Sequence, residues 1–189
     1  MTLMKYIPVA FAVALSIPAV ADEMNAGTVH FTGEIIEPSC IIDGNDGKDN
    51  NVPLGTYPTS LFVNPGDESS LIPFDIQLKN CPLQTTGLTS VQLTFEGPTV
   101  ATSNADLLSV SAITTAGSEA ATNIGVAVST LDRTETLLKM DGSEGQVAID
   151  LPTNSDSVRG HFVARYRAFA IPVTPGPADA DMTVNILYR

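Results

Sequence analysis

The feature that most constrains this chain is a two-residue alternation of apolar side chains, repeated in short runs that turn residues keep interrupting. Val29, Phe31 and Ile35 alternate near one end, with Gly33 in phase. Further runs are Phe74, Ile76 and Leu78, then Val91, Leu93 and Phe95, then Ile124, Val126 and Val128. Val147, Ile149 and Leu151 follow, then Phe162, Ala164, Tyr166 and Ala168, and finally Val184, Ile186 and Tyr188. Such alternation sends one set of side chains to one face of a sheet, as a half-buried strand requires. Pro65-Gly66-Asp67, Glu96-Gly97-Pro98, Asp141-Gly142-Ser143 and Pro175-Gly176-Pro177 punctuate the runs. Short strands separated by such turns predict an all-β, antiparallel sandwich or barrel. Only 103–108 and 118–121 could host a helical turn, and neither carries a sustained apolar stripe. No repeat of fixed period is present.

The first residues are of another kind. Lys5 is their only charge, Tyr6 to Val20 is almost wholly apolar, and Ala19-Val20-Ala21 has the small-x-small form of a cleavage site. This reads as a secretory signal peptide over residues 1–21, cut before Asp22. A membrane anchor is the poorer reading, because the run is short, Pro8 and Pro18 interrupt it, and no basic cluster follows. The mature part, 22–189, holds no other long apolar run, so no membrane span is expected there, nor any boundary within its domain. The whole chain sums to −12, and losing Lys5 leaves the mature part more negative. An acidic surface repels nucleic acid and anionic lipid, so neither is expected as a partner.

Both cysteines, Cys40 and Cys81, lie in the mature part. An even count in an exported chain reads as one disulfide. Closing so long a loop stabilises by about 4 kcal/mol in the chain-entropy model. Two cysteines with two distant histidines do not make a zinc site.

The residues offer little for catalysis. His30 and His161 both fall in expected strands, without a visible partner to position either as a base. The chain lacks a Gly-x-Ser-x-Gly elbow, a Walker loop, a His-Glu-x-x-His pair and a dinucleotide fingerprint. The acidic stretch Asp43-Gly44-Asn45-Asp46-Gly47-Lys48-Asp49 fails as an EF-hand. Gly47 has Ile42 and Pro53 where ligands are needed, and Gly44 has Ser39 and Asn50. It reads as a solvated connection. Asp179 and Asp181 read as a charged approach to the last strand. No cofactor or metal is expected.

The segment Gly27-Thr28-Val29-His30-Phe31-Thr32-Gly33-Glu34-Ile35-Ile36-Glu37-Pro38-Ser39-Cys40 resembles the start of type 1 fimbrial subunits of the chaperone–usher family. Val52-Pro53-Leu54-Gly55 is similar to the family's short strand after the first cysteine. Pro73-Phe74-Asp75-Ile76-Gln77-Leu78-Lys79-Asn80-Cys81 is similar to the strand ending at the second. Phe162-Val163-Ala164-Arg165-Tyr166-Arg167-Ala168 resembles the penultimate strand. The family pattern also has a glycine fourteenth from the end and a penultimate aromatic, positions held here by Gly176 and Tyr188. The resemblance runs along the whole mature part and departs mainly at 43–51 and 101–123.

The resemblance implies an incomplete immunoglobulin-like sandwich that lacks its final strand and so exposes an edge and an apolar groove. It implies a donor-strand extension at 22–36 and a pilin domain at 37–189. Val29, Phe31, Gly33 and Ile35 would enter a neighbouring subunit's groove, with Gly33 where that groove is shallow. Pilin donor-strand complementation is a standing example of strand addition. Gly176, Val184, Ile186, Tyr188 and Arg189 would form the groove and face the periplasmic chaperone that shields it before assembly. The implied partners are neighbouring pilin subunits, that chaperone and an outer-membrane usher. The implied route runs through the periplasm to the surface fimbrium. The expected function is thus structural, a fimbrial subunit contributing to cell adhesion, as a shaft subunit or a minor, adaptor or terminating one. A carbohydrate-binding adhesin would need an extra domain, and a secreted hydrolase a convergent acid/base pair.

Overall fold

The computed structural model describes residues 27–33, 35–37, 39–44, 50–114 and 117–188. The expected signal peptide, residues 22–26, most of the acidic connection and Arg189 lie outside them. The chain divides into two compact units, Met1–Gly33 and Glu34–Arg189.

In the first unit, residues 27–33 are irregular, and Val29 and Phe31 are exposed. Among the described residues of this stretch, the strand expected from the alternation of Val29, Phe31 and Ile35 is therefore not formed. Alternation supplies an amphipathic ribbon, but a strand also needs a ladder partner for its backbone groups.

The second unit is a β-sandwich. Its strands are β1 (Ile41–Ile42), β2 (Ile72–Lys79), β3 (Ser90–Glu96), β4 (Leu108–Ser109), β5 (Ile124–Thr130), β6 (Arg133–Leu137), β7 (Val147–Asp150), β8 (Val158–Ala168) and β9 (Thr183–Tyr188). One sheet runs β1-β2-β8-β5-β4, with β6 also on β5, and the other runs β7-β3-β9. Every strand pair is antiparallel. The described residues include a single 3-10 turn, Thr59–Leu61, and no α-helix, so no described helix is long and apolar enough to cross a membrane.

The alternating residues meet between the sheets. Ile76 and Leu78 of β2, Val91, Leu93 and Phe95 of β3, Val126 and Val128 of β5, and Phe162 and Ala164 of β8 share one buried cluster. Phe162 lies edge-on to Phe95 and stacks on Phe74, with centroids 5.9 and 5.6 Å away. Such aromatic pairs add about 0.5–1.5 kcal/mol beyond area burial.

Alternation also implies a solvated opposite face for β5 and β8, and here the fold differs. Ala127, Ser129, Val163 and Arg165 are buried as well. Small side chains on β5 make this possible, since the register sets Ala127 directly opposite Arg165. The Arg165 guanidinium donates to Ser129 Oγ at 3.2 Å and to the Thr134 carbonyl of β6 at 2.9 Å. Its Nε stands 2.7 Å from Glu68 Oε2. That is an ion contact rather than a hydrogen bond, because the Nε–H finds no aligned acceptor. Glu68 also accepts from Arg167 at 2.7 Å.

The open edge of β9 and its surroundings

The last strand, β9, ladders with β3 alone, from Val91↔Tyr188 to Glu96↔Thr183. Its other edge carries no strand among the described residues. Ala180, Met182, Val184, Ile186 and Tyr188 recur every second residue and pack on the main core, yet all remain partly exposed. The same cluster borders Ile36, Cys40 and Ile42 around β1, together with Leu54 and Phe74, and these are also only partly buried. The apolar interior therefore reaches the surface where the β7-β3-β9 sheet stops.

One contact ties the two sheets there. The Cys40 N–H donates to the Tyr188 hydroxyl at 2.8 Å, between residues 148 apart in sequence. Cys40 is itself anchored by a disulfide to Cys81, with Cα atoms 4.2 Å apart. The bond spans 41 residues and joins the start of β1 to the end of β2, which pair as Ile41↔Lys79 and Ile42↔Leu78. The expected pairing is thus the one present.

The groove residues named from the resemblance fall in two places. Val184, Ile186 and Tyr188 form one row on β9. Gly176 lies elsewhere, against the backbone of 119–121. A Cβ there would come within 2.5 Å of the Glu119 carbonyl oxygen and 2.6 Å of the Ala121 nitrogen. Its glycine character answers to that close approach of two backbone segments. Arg189 is outside the described residues. On the donor side, Phe31 is 94% exposed and Ile35 is 99% exposed. Gly33 has open space where a side chain would stand.

The approach to β9 is pinned by polar contacts that the alternating pattern does not foretell. Asp179 pairs its backbone with Ser111, and its carboxylate accepts from Thr114 N at 2.8 Å and Thr114 Oγ1 at 2.7 Å. These bonds hold its carboxyl below the ordinary carboxylate value. Tyr166 of β8 donates to the Ala178 carbonyl at 3.1 Å. Burial first, and the Asp179 charge second, push its phenol up.

The two histidines differ as well. His30 falls in the irregular stretch, not in a strand. His161 lies on β8, and its Nδ1 is 2.7 Å from Asp75 Oδ1, so it has the carboxylate neighbour that the sequence did not reveal. Register explains this contact, because Asp75 and His161 are directly opposed and Gln77 opposes Arg159 beside them. Arg159 contacts both Asp75 and Gln77. The result is an exposed cross-strand ladder of polar side chains, the usual solvent face of an antiparallel pair. His161 also lines a cleft of about 580 Å³ between β7 and β8, with Arg133, Asp150 and Arg159. The described residues contain no cluster of metal-ligating side chains.

An antiparallel sandwich with a disulfide at its first strand and, among the described residues, no strand on the outer edge of its last defines an all-β sandwich with one open apolar edge. The family model described as "Fimbrial protein" matches residues 29–189. The fimbrial subunit type 1 of Klebsiella pneumoniae is 35% identical over 176 residues, 92% of this chain and 91% of that one. Among solved structures, the P pilus rod subunit PapA superposes with a TM-score of 0.60 at 23% identity, covering 80% of this chain and 99% of that one. A chaperone-usher pilus solved for the basis of rod uncoiling gives 0.59 at 24% identity, covering 93% and 100%. The chain belongs to the fimbrial protein family.

Proposed function

We infer that the protein is a structural subunit of a chaperone–usher fimbria and polymerises by donating its N-terminal segment to a neighbour. Membership of the fimbrial family over 29–189 supports this, as does the fold shared with pilus subunits. The observation that carries the reading is the half-covered row Val184, Ile186 and Tyr188 on an unladdered edge of β9. A sheet edge with unpaired backbone groups beside open core is a template for another strand. Val29, Phe31, Gly33 and Ile35 are the donor positions in this reading, and the extension runs over 22–36 after a signal peptide at 1–21. The pilin domain is 37–189. Burying Val29, Phe31 and Ile35 contributes roughly 1.5–3 kcal/mol each. That exceeds any exposed ion pair, at about 0–1 kcal/mol.

The groove, with Arg189 counted at its C-terminal end, meets a periplasmic chaperone and then an outer-membrane usher on the way to the cell surface. The role is structural and not enzymatic. Adhesion follows from the fibre. The test is removal of residues 22–33 from the mature chain. Strand-exchanged polymers disappear, while the truncated chain still accepts a donor strand from intact subunits. Polymers persisting without those residues sink the reading.

A further inference from the structure

The open edge raises a question of register. Val29, Phe31, Gly33 and Ile35 are all in phase, so a strand that slides by two residues keeps its apolar face toward the core. A one-residue slip is self-correcting, because it turns every apolar side chain to solvent. A two-residue slip is not corrected in that way: toward the Gly33 position the shallow groove opposes Phe31, but in the other direction the slip merely seats Phe31 where Val29 belongs. Something in the acceptor must therefore limit sliding along β9.

We propose that the Tyr188–Cys40 bridge is the register stop of the acceptor groove. This rests on the strand-donation reading and deepens it. Tyr188 belongs to the three-stranded sheet through Val91, whereas Cys40 precedes β1 of the other sheet. The 2.8 Å bond between them therefore crosses from one lip of the open edge to the other. The far anchor cannot drift, because Cys40 is covalently tied to Cys81 and is followed by two residues laddered to β2. The near anchor cannot drift either, because the tyrosine ring packs on the main core. The bridge also occupies the Cys40 N–H, so that donor is not open to an incoming backbone. A strand added alongside β9 meets a closed end at Tyr188 and settles in one register. Tyr188 is thus a positioning residue for strand exchange, acting through its hydroxyl as well as its ring.

The test reads register directly in assembled fibres. Thr32→p-benzoylphenylalanine places a photo-crosslinker between Phe31 and Gly33, on the side of the donor facing away from the core. Cross-strand neighbours on one face lie about 4.5–5.5 Å apart. In wild-type fibres, adducts concentrate on a single outward β9 position, Asn185 or Leu187. With Tyr188→Phe, which keeps the ring and loses the hydroxyl, adducts spread over both. A map unchanged by Tyr188→Phe overturns the stop, even if the fibres are less stable. If Tyr188→Phe fibres do not form alone, the variant is mixed as a minority with wild-type subunits and its adducts are separated by mass. A variant that enters fibres in neither way also overturns the proposal, since losing a stop widens the permitted registers and does not forbid docking. Absence of any adduct to β9 in wild-type fibres refutes strand donation itself, which is a different failure.

Discussion

Glu68→Ala removes the carboxylate beside a guanidinium that is only 1% exposed, and its cost follows from the geometry. Arg165 keeps its bonds to Ser129 and Thr134 but loses its counter-charge at 2.7 Å. Stripping one partner from a fully buried pair costs about 3–5 kcal/mol, because the other charge is left uncompensated. The Glu68 side chain is 29% exposed, so water partly replaces it, and about 2–3 kcal/mol is the appropriate expectation. With a urea slope of about 2 kcal/mol per molar, the unfolding midpoint falls by about 1 M. The assay is equilibrium urea unfolding of the mature chain, followed by far-UV circular dichroism. Adding Arg165→Met fills the same trough beside Ala127 with an apolar side chain and recovers much of the loss. A Glu68→Ala midpoint within about 0.2 M of wild type, or a double variant less stable than the single one, refutes the reasoning on the same scale.

Phe31→Ala removes one of three apolar donor side chains and weakens each joint by roughly 1.5–3 kcal/mol. Fibre dissociation in denaturant then accelerates about 10- to 150-fold, and an unchanged rate contradicts Phe31 as a donor. Gly176→Ala drives a Cβ into the backbone of 119–121, which no rotamer can relieve, and lowers the melting temperature of the chain. A neutral Gly176→Ala shows that the two segments are not in close register. Asp179 has a folded pKa below its ordinary 3.8, so its contribution is present above that value and lost as pH falls through the lower folded one. Thr114 amide protection should hold at neutral pH and collapse only in that acid window, and protection independent of pH removes Asp179 as the anchor.

Sequence alone carries the architecture, because the core positions lie two apart within single strands. Phe74-Ile76-Leu78, Val91-Leu93-Phe95 and Val184-Ile186-Tyr188 mark one face of β2, β3 and β9 by their local period. The same alternation cannot say what covers the other face. Arg165 reads as a solvated neighbour of Ala164 and Tyr166, and it is buried because Glu68, Ser129 and Thr134 converge on it from other strands and loops. β1 and β4 are two residues long, too short to alternate, and β6, Arg-Thr-Glu-Thr-Leu, is polar, so ladder pairing alone creates them. The candidate site divides the same way. Its apolar row is legible as a local period, while the bond from Tyr188 to Cys40 joins residues 148 apart. Only the closure of two sheets around one core brings such groups together.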